Sequence, residues 1–302
     1  MADLSVNIAG VEFKNPIIAA SGTIGFGHEY SEFYPLSVFG GISCKGTTLK
    51  ERPGNPPPRI AETPMGMLNA VGLQNPGVEH FIKYDLPWLK QQDTVAIANV
   101  AGSTAEDYCK MAEILSDTDI DMIELNISCP NVKEGGVQFG TSCESVAAIT
   151  KAVRAHCKKP LIIKLSPNVS DIASIAMAAE SEGADAVSLI NTLTGMRIDI
   201  NTRKPIIANV TGGMSGPAVF PVAVRMVWQV KKAVKIPVIG MGGITTWKDA
   251  VEMMMAGADA MQIGTALFTD PYSPVKIAEG LNAYLDKNGM KSVTELTGTV
   301  MC

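Results

Sequence analysis

The feature that most constrains this chain is a repeated beat of short apolar, β-branched runs along its 302 residues, mostly with helix-like segments between them. The pattern predicts strands at Pro16–Ala20, Gly41–Lys45, Thr94–Asn99, Met122–Asn126, Leu161–Lys164, Val187–Asn191, Val238–Met241 and Ala260–Ile263. These runs are apolar on both faces rather than alternating, which suits parallel strands covered by helices. Amphipathic stretches separate several of them, at Thr104–Ser116, Ser142–His156, Asp171–Glu182, Val219–Val234 and Thr246–Ala256. Ser170 precedes the third of these, Gly183 follows it, and Gly257 follows the fifth, as start and stop signals should. Eight strands alternating with helices predict an α/β protein, a parallel (β/α)8 TIM barrel. A doubly wound open sheet is the alternative.

Length alone suggests two domains at ~150 residues each, but α/β barrels run to about 250 residues as one unit. No internal repeat, low-complexity tract or linker divides the chain, so residues 1–302 are expected to form a single domain. Two segments exceed a minimal barrel. Gly46–Asp93 holds ERPGNPPPR and PMGMLNAVGLQNPG, and Asn191–Pro217 is rich in glycine, threonine and asparagine. Both read as long inserted loops at the carboxyl-end face, where binding loops and lids belong.

Composition excludes several classes. With 25 basic and 30 acidic side chains the net charge is −5, which speaks against a nucleic-acid binder. A 46% hydrophobic content speaks against disorder. The amino terminus, MADLSVNIAG, lacks the pattern of a signal peptide, and the uncharged stretch Pro205–Val224 is broken by glycines and prolines. Cysteines stand at 44, 109, 129, 143, 157 and 302, no two closer than fourteen residues, so no zinc or iron–sulfur framework is expected. Reduced thiols in a cytoplasmic protein are the simplest reading.

A barrel places its chemistry at the carboxyl ends of its strands. Those positions carry Ser21-Gly22, Lys45-Gly46, Asn99, Asn126 with Ser128-Cys129, Lys164, Asn191-Thr192, Gly242-Gly243 and Gly264-Thr265. Each has a bland reading, since Asn and Gly are common turn residues. The two lysines are harder to dismiss. A lysine closing a buried strand needs an anionic partner, and no acidic residue lies within three positions of Lys45 or Lys164, so a bound anion is expected. GMGGI at 240–244 and IGTALF at 263–268 follow the seventh and eighth strands, where many barrels grip a phosphate through backbone N–H groups.

The histidines, His28, His80 and His156, sit away from the strand ends, and no carboxylate closes a strand. Metal hydrolysis, serine–histidine catalysis and a two-carboxylate glycosidase are therefore poorly supported. An asparagine-rich site with two lysines, one cysteine and a phosphate suits a planar polar ligand beside a cofactor that carries the chemistry. Flavin mononucleotide fits, with a lysine stabilising the reduced, anionic ring.

NISCPNV at 126–132 carries the argument to a family. With SGTIGFG at 21–27, CKGTTLKERPGNPPPR at 44–59, MLNAVGLQNPG at 67–77, NVAGS at 99–103, LIIKLSP at 161–167, NTLTGMRID at 191–199 and GGMSGPAVFP at 212–221, the chain closely resembles the class 1 dihydroorotate dehydrogenases. The resemblance runs from about Leu4 to the carboxyl end. Cysteine in the S-C-P-N motif sets it apart from the membrane-bound class, and EGGVQFG and GGMSGPA look like the 1B catalytic subunit rather than the fumarate-using 1A enzyme.

The resemblance implies oxidation of dihydroorotate to orotate in pyrimidine synthesis, with one FMN per chain as first electron acceptor. It implies Cys129 as the base that removes the C5 proton while hydride passes from C6 to the flavin. A thiolate suits that task if a cation such as Lys45 lowers its pKa from about 8.5. Cys44, Cys109, Cys143 and Cys157 are expected to be buried and inert. Gly135, Gly136 and Gly140 suit a loop that closes over substrate. By similarity, Lys45, Asn69, Asn126, Asn131, Asn191 and Thr192 contact substrate, and the backbone at Ala70, Val71, Gly72 and Leu73 receives its carboxylate side. Ser21, Lys45, Gly46, Asn99, Asn126, Lys164, Ile190 and Gly216 match flavin contacts, and Gly242, Gly243, Gly264 and Thr265 match the phosphate grip.

The 1B resemblance further implies a separate iron–sulfur flavoprotein subunit, carrying FAD and a 2Fe-2S cluster, that passes electrons to NAD. Two catalytic and two electron-transfer chains would form a heterotetramer around a homodimer of this chain. Rival readings are a dihydropyrimidine dehydrogenase-type barrel acting on uracil or thymine, a noncatalytic flavin-binding scaffold, and a phosphate-binding barrel isomerase.

Overall fold

The computed structural model describes residues 2–127 and 139–301. Eight parallel strands close into a barrel: β1 (Ile17–Ala19), β2 (Gly41–Ser43), β3 (Val95–Val100), β4 (Met122–Asn126), β5 (Leu161–Lys164), β6 (Ala186–Leu189), β7 (Val238–Met241) and β8 (Ala260–Ile263). Each strand pairs with its neighbours in sequence, and β8 pairs with β1 to close the ring. The barrel expected from the sequence is therefore present, and every strand falls within two residues of its predicted bounds. The sixth ends at Leu189 rather than Asn191: the Ile190 N–H still reaches the Met241 carbonyl of β7, but the Asn191 N–H turns the other way, to the Leu165 carbonyl just past β5.

The longer covering helices are α1 (Ala105–Ser116), α2 (Cys143–Arg154), α3 (Ile172–Ser181), α4 (Phe220–Ala233), α5 (Trp247–Ala256) and α6 (Ser273–Lys287), the last not among the expected stretches. Thr104, Ser142 and Thr246 close reciprocal capping boxes with Asp107, Ser145 and Asp249, satisfying amide groups that a helix start leaves open. The third cap is Asp171 rather than Ser170: its carboxylate accepts from the Ala173 and Ser174 amides, and a charged acceptor makes the stronger cap. Gly257 ends α5 at φ +125°, a conformation a side chain resists. Ile42, Ile123 and Val187 are fully buried on the helix-facing side of the sheet and Ile18, Ile97, Ile162 and Ile239 on the barrel-interior side, each contributing about 1.5–3 kcal/mol of transfer free energy.

The two long segments are not irregular loops. Leu193–Gly195, Gly212–Ser215, Gly66–Asn69 and Ile60–Thr63 pair in that order as a four-stranded antiparallel sheet. Each strand is three or four residues long, too short to show a period, and the central pairing, Gly66–Asn69 with Gly212–Ser215, joins the two segments. The sequence also gave no warning of the amino-terminal hairpin Val6–Ile8 with Val11–Phe13. Gly66 is required by this sheet, since a Cβ there would stand 2.1 Å from the Ser215 carbonyl oxygen. Among the described residues no helix is long and apolar enough to cross a membrane.

Candidate active site

The carboxyl ends of the barrel strands and the small sheet enclose a cavity of about 340 Å³. Lys45, Asn69, Val71, Gly72, Leu73, Asn126, Asn191 and Thr192 line it, as expected for one part of the site. Ser21, Gly46, Lys164, Ile190, Gly216, Gly242, Gly243, Gly264 and Thr265 line it too. Residues from seven of the eight strand ends, all but that of β3, and from the two inserted segments thus converge on one volume. Two expected residues do not line it. Ala70 is fully buried, and its carbonyl accepts from Asn55 Nδ2 at 2.9 Å. Asn99 is fully buried beneath Gly46, where a Cβ would sit 3.0 Å from Asn99 Oδ1. Cys129, Asn131, Gly135 and Gly136 lie outside the described residues.

Hydrogen bonds fix the polar wall. Asn191 Nδ2 donates to Asn126 Oδ1 at 3.2 Å, while Asn191 Oδ1 accepts from the Thr192 amide at 2.8 Å. Asn168, unnoticed in the sequence, donates to the Thr192 carbonyl at 3.0 Å and accepts from the Thr194 amide at 3.0 Å. Thr265 Oγ1 donates to Ser215 Oγ at 2.8 Å, tying the end of β8 to the small sheet.

The expectation that Lys164 lacks a protein anion is overturned. Its ammonium stands 3.9 Å from Glu124 Oε2, and both side chains are almost wholly buried. Glu124 sits mid-strand in β4, so its side chain enters the barrel interior one step below Asn126. There it accepts from Ser43 Oγ at 2.6 Å, Asn99 Nδ2 at 2.7 Å, Ser188 Oγ at 2.7 Å and Gln262 Nε2 at 2.6 Å. Burial pushes the carboxyl upward, but Lys164 and the bonds from Ser43, Ser188 and Asn99 outweigh it and hold the group below its ordinary value of 4.5. The partners come from β2, β3, β5, β6 and β8, far apart in sequence, so a search of three positions either side of Lys164 could not reach them. The available signal was a single acid inside the apolar run MIELN, a placement that costs several kcal/mol unless paired.

This network leaves two loose ends. Asn99 Oδ1 and Gln262 Oε1 are buried with no hydrogen-bond partner among the described residues. A buried acceptor left so costs about 1–3 kcal/mol, which a ligand N–H would recover. Gln262 lines the cavity, and the sequence did not single it out.

At the opposite wall, Gly242 and Gly243 have φ of +125° and +75°. A Cβ on Gly243 would press to 2.8 Å from the Gly216 carbonyl oxygen and 2.9 Å from the Phe220 amide, whereas one on Gly264 would meet nothing nearer than 3.5 Å. Gly243→Ala is therefore expected to destabilise the protein by about 1–3 kcal/mol through strain, while Gly264→Ala leaves the melting temperature close to wild type. Thermal denaturation of the two variants checks this, and equal melting temperatures would contradict it.

The remaining cysteines divide. Cys44 and Cys157 are buried, and burial pushes both thiols up, strongly so for Cys44. Cys109 and Cys143 are only half-buried, contrary to expectation. His28 and His80 share the buried Asp85 at 3.1 and 3.2 Å, away from the cavity lining.

A family model described as dihydroorotate dehydrogenase matches residues 3–285. The chain belongs to the dihydroorotate dehydrogenase family. It is 60% identical over 301 residues to a protein of Bacteroides thetaiotaomicron named dihydroorotate dehydrogenase B (NAD(+)), catalytic subunit, covering 99% of each. Proteins of the same name are 59% identical in Bacteroides fragilis, covering 99% of each, and 56% identical in Alkaliphilus oremlandii, covering 98% of each. The resemblance to the 1B class, seen in the motifs, agrees with these names.

Proposed function

We propose that this chain oxidises dihydroorotate to orotate with FMN as its bound cofactor, as the catalytic subunit of an NAD-dependent enzyme. The observation that carries the reading is the convergence of Lys45, Asn69, Asn126, Lys164, Asn191, the glycine pair Gly242-Gly243 and Gly264-Thr265 on one cavity. The donor set fits the cofactor. A glycine wall in positive φ suits close approach of a phosphate, Lys164 supplies a buried cation, and the oxygens of Asn99 and Gln262, unpartnered among the described residues, suit a planar ring bearing an N–H.

When bound, FMN supplies a two-electron acceptor for hydride from C6 of dihydroorotate. The chain's own residues do the rest. Cys129, as thiolate, takes the proton from C5. Asn69, Asn126, Asn131 and Asn191, with Thr192, hold the amide edge of the pyrimidine, each amide offering both a donor and an acceptor. Val71, Gly72 and Leu73 receive the carboxylate side through their backbone. Lys164 holds positive charge against the cofactor ring, where it favours the anionic reduced form. Gly242, Gly243, Gly264 and Thr265 hold the phosphate.

Electrons then leave through a partner. The relatives are named catalytic subunits of NAD(+) enzymes, which supports a partner subunit. On the 1B resemblance of the motifs, that partner is taken to be an iron–sulfur flavoprotein with FAD and a 2Fe-2S cluster, in a cytoplasmic heterotetramer built on a homodimer of this chain.

The purified chain is expected to be yellow, to release one FMN per chain with no FAD or iron, and to be reduced by dihydroorotate but not by dihydrouracil. Cofactor extraction and anaerobic bleaching of the flavin test this. A colourless protein that cannot take up FMN, or reduction by dihydrouracil alone, would overturn the assignment.

A further inference from the structure

Glu124 does not itself line the cavity, yet it holds three residues on which the site depends. It accepts one N–H from Gln262 Nε2 at 2.6 Å and one from Asn99 Nδ2 at 2.7 Å, and it stands 3.9 Å from Lys164 Nζ. A carboxylate accepts and cannot donate. Each amide must therefore turn its NH2 inward to Glu124 and its oxygen outward, and it is these two oxygens that have no partner among the described residues. Gln262 lines the cavity and Asn99 lies directly under Gly46, which lines it as well. The orientation of both amides is thus set from below by the chemistry of one side chain.

We propose that Glu124 is a positioning residue: it fixes the Gln262 and Asn99 amides with their oxygens toward the ring-binding face of the cavity, and it seats the Lys164 ammonium beside them. The proposal rests on the flavin reading, because an oxidised isoalloxazine carries a single ring N–H, at N3, and an acceptor facing it would read that group. Glutamine at 124 would keep the volume but present an NH2 of its own. Either neighbouring amide could then flip, and the site would lose its fixed pattern of acceptors.

The test uses the full chain stripped of flavin and titrated with FMN and with N3-methyl-FMN, binding being followed by flavin fluorescence and folding by circular dichroism. Wild type is expected to bind N3-methyl-FMN about tenfold more weakly than FMN, the 1.4 kcal/mol of one recovered hydrogen bond. In Gln262→Leu that preference should fall below about threefold, because the acceptor is gone. In Glu124→Gln the affinity for FMN should fall about tenfold. The sign of this last change is decisive, since removing a negative charge beneath an anionic ligand acts to tighten binding, whereas losing the amide orientation acts to loosen it. Unchanged or tighter FMN binding in folded Glu124→Gln overturns the proposal. So does wild type that binds both flavins equally, and this second arm stands even where Glu124→Gln does not fold. Wild type that takes up neither flavin defeats the cofactor reading itself, and the proposal with it.

Discussion

Replacing Cys129 with alanine is expected to slow flavin reduction by dihydroorotate by about 10²–10⁴-fold, the usual range for loss of a general base. FMN should stay bound, because the phosphate wall is built on β7 and β8, more than a hundred residues from the S-C-P-N motif. A thiolate base also fixes the direction of the pH dependence. Activity should rise with pH as the thiol ionises, from below a free-thiol value of about 8.5 if a cation such as Lys45 lowers it. Cys129→Ser should retain slight activity with its profile moved to higher pH, since a hydroxyl is far the weaker acid. Stopped-flow reduction across pH, with FMN content measured on the same samples, checks all three statements. Reduction of the alanine variant at the wild-type rate would show that the base lies elsewhere.

The barrel was legible because its strands are buried on both faces and its helices keep a clear period, so two local signals agreed at nearly every element. The small antiparallel sheet was not. Ile60–Thr63 and Gly66–Asn69 carry too few residues to show alternation, and Gly212–Ser215, which pairs with the second of them, lies some 140 residues on. Site residues at strand ends were legible for the same reason as the barrel, since topology alone assigns the carboxyl ends to chemistry. Asn99 shows the limit of that rule. It occupies a strand end and bears on the cavity, but it does so through Gly46 from beneath, and its firm partner is Glu124. The network that joins Ser43, Asn99, Glu124, Lys164, Ser188 and Gln262 escaped sequence reading, although Asn99 and Lys164 stood out singly as strand ends. Ser43, Glu124, Ser188 and Gln262 are polar positions within apolar strands, and only closure of the ring brings the six together.

Lys164→Gln should therefore have two effects, and the discovery of Glu124 strengthens both. The first is on stability. Removing one partner of a buried ion pair leaves the other uncompensated, at a cost of about 3–5 kcal/mol. The neutral donors around Glu124 place the expected loss at the lower end, a fall in melting temperature on the order of ten degrees. In wild type the Glu124 carboxyl is held below 4.5, so it contributes stability above that pH and loses it as pH falls through the lowered value. Without Lys164 the largest influence opposing burial is gone and the carboxyl rises. The deficit against wild type should then be greatest near neutral pH and shrink as the solution is acidified and Glu124 takes a proton. The second effect is on the cofactor. Loss of the ammonium and exposure of the carboxylate behind it both disfavour an anionic reduced ring, so the flavin midpoint should fall by ~60 mV or more, about 2.8 kcal/mol for a two-electron couple. Lys164→Arg keeps the charge but spreads it over a planar fork that matches neither Glu124 nor the ring in the same way, and should fall between the two. Thermal denaturation and redox titration of both variants decide the matter. An unchanged midpoint and an unchanged melting temperature in Lys164→Gln at full FMN occupancy would mean that the pair governs neither fold nor flavin.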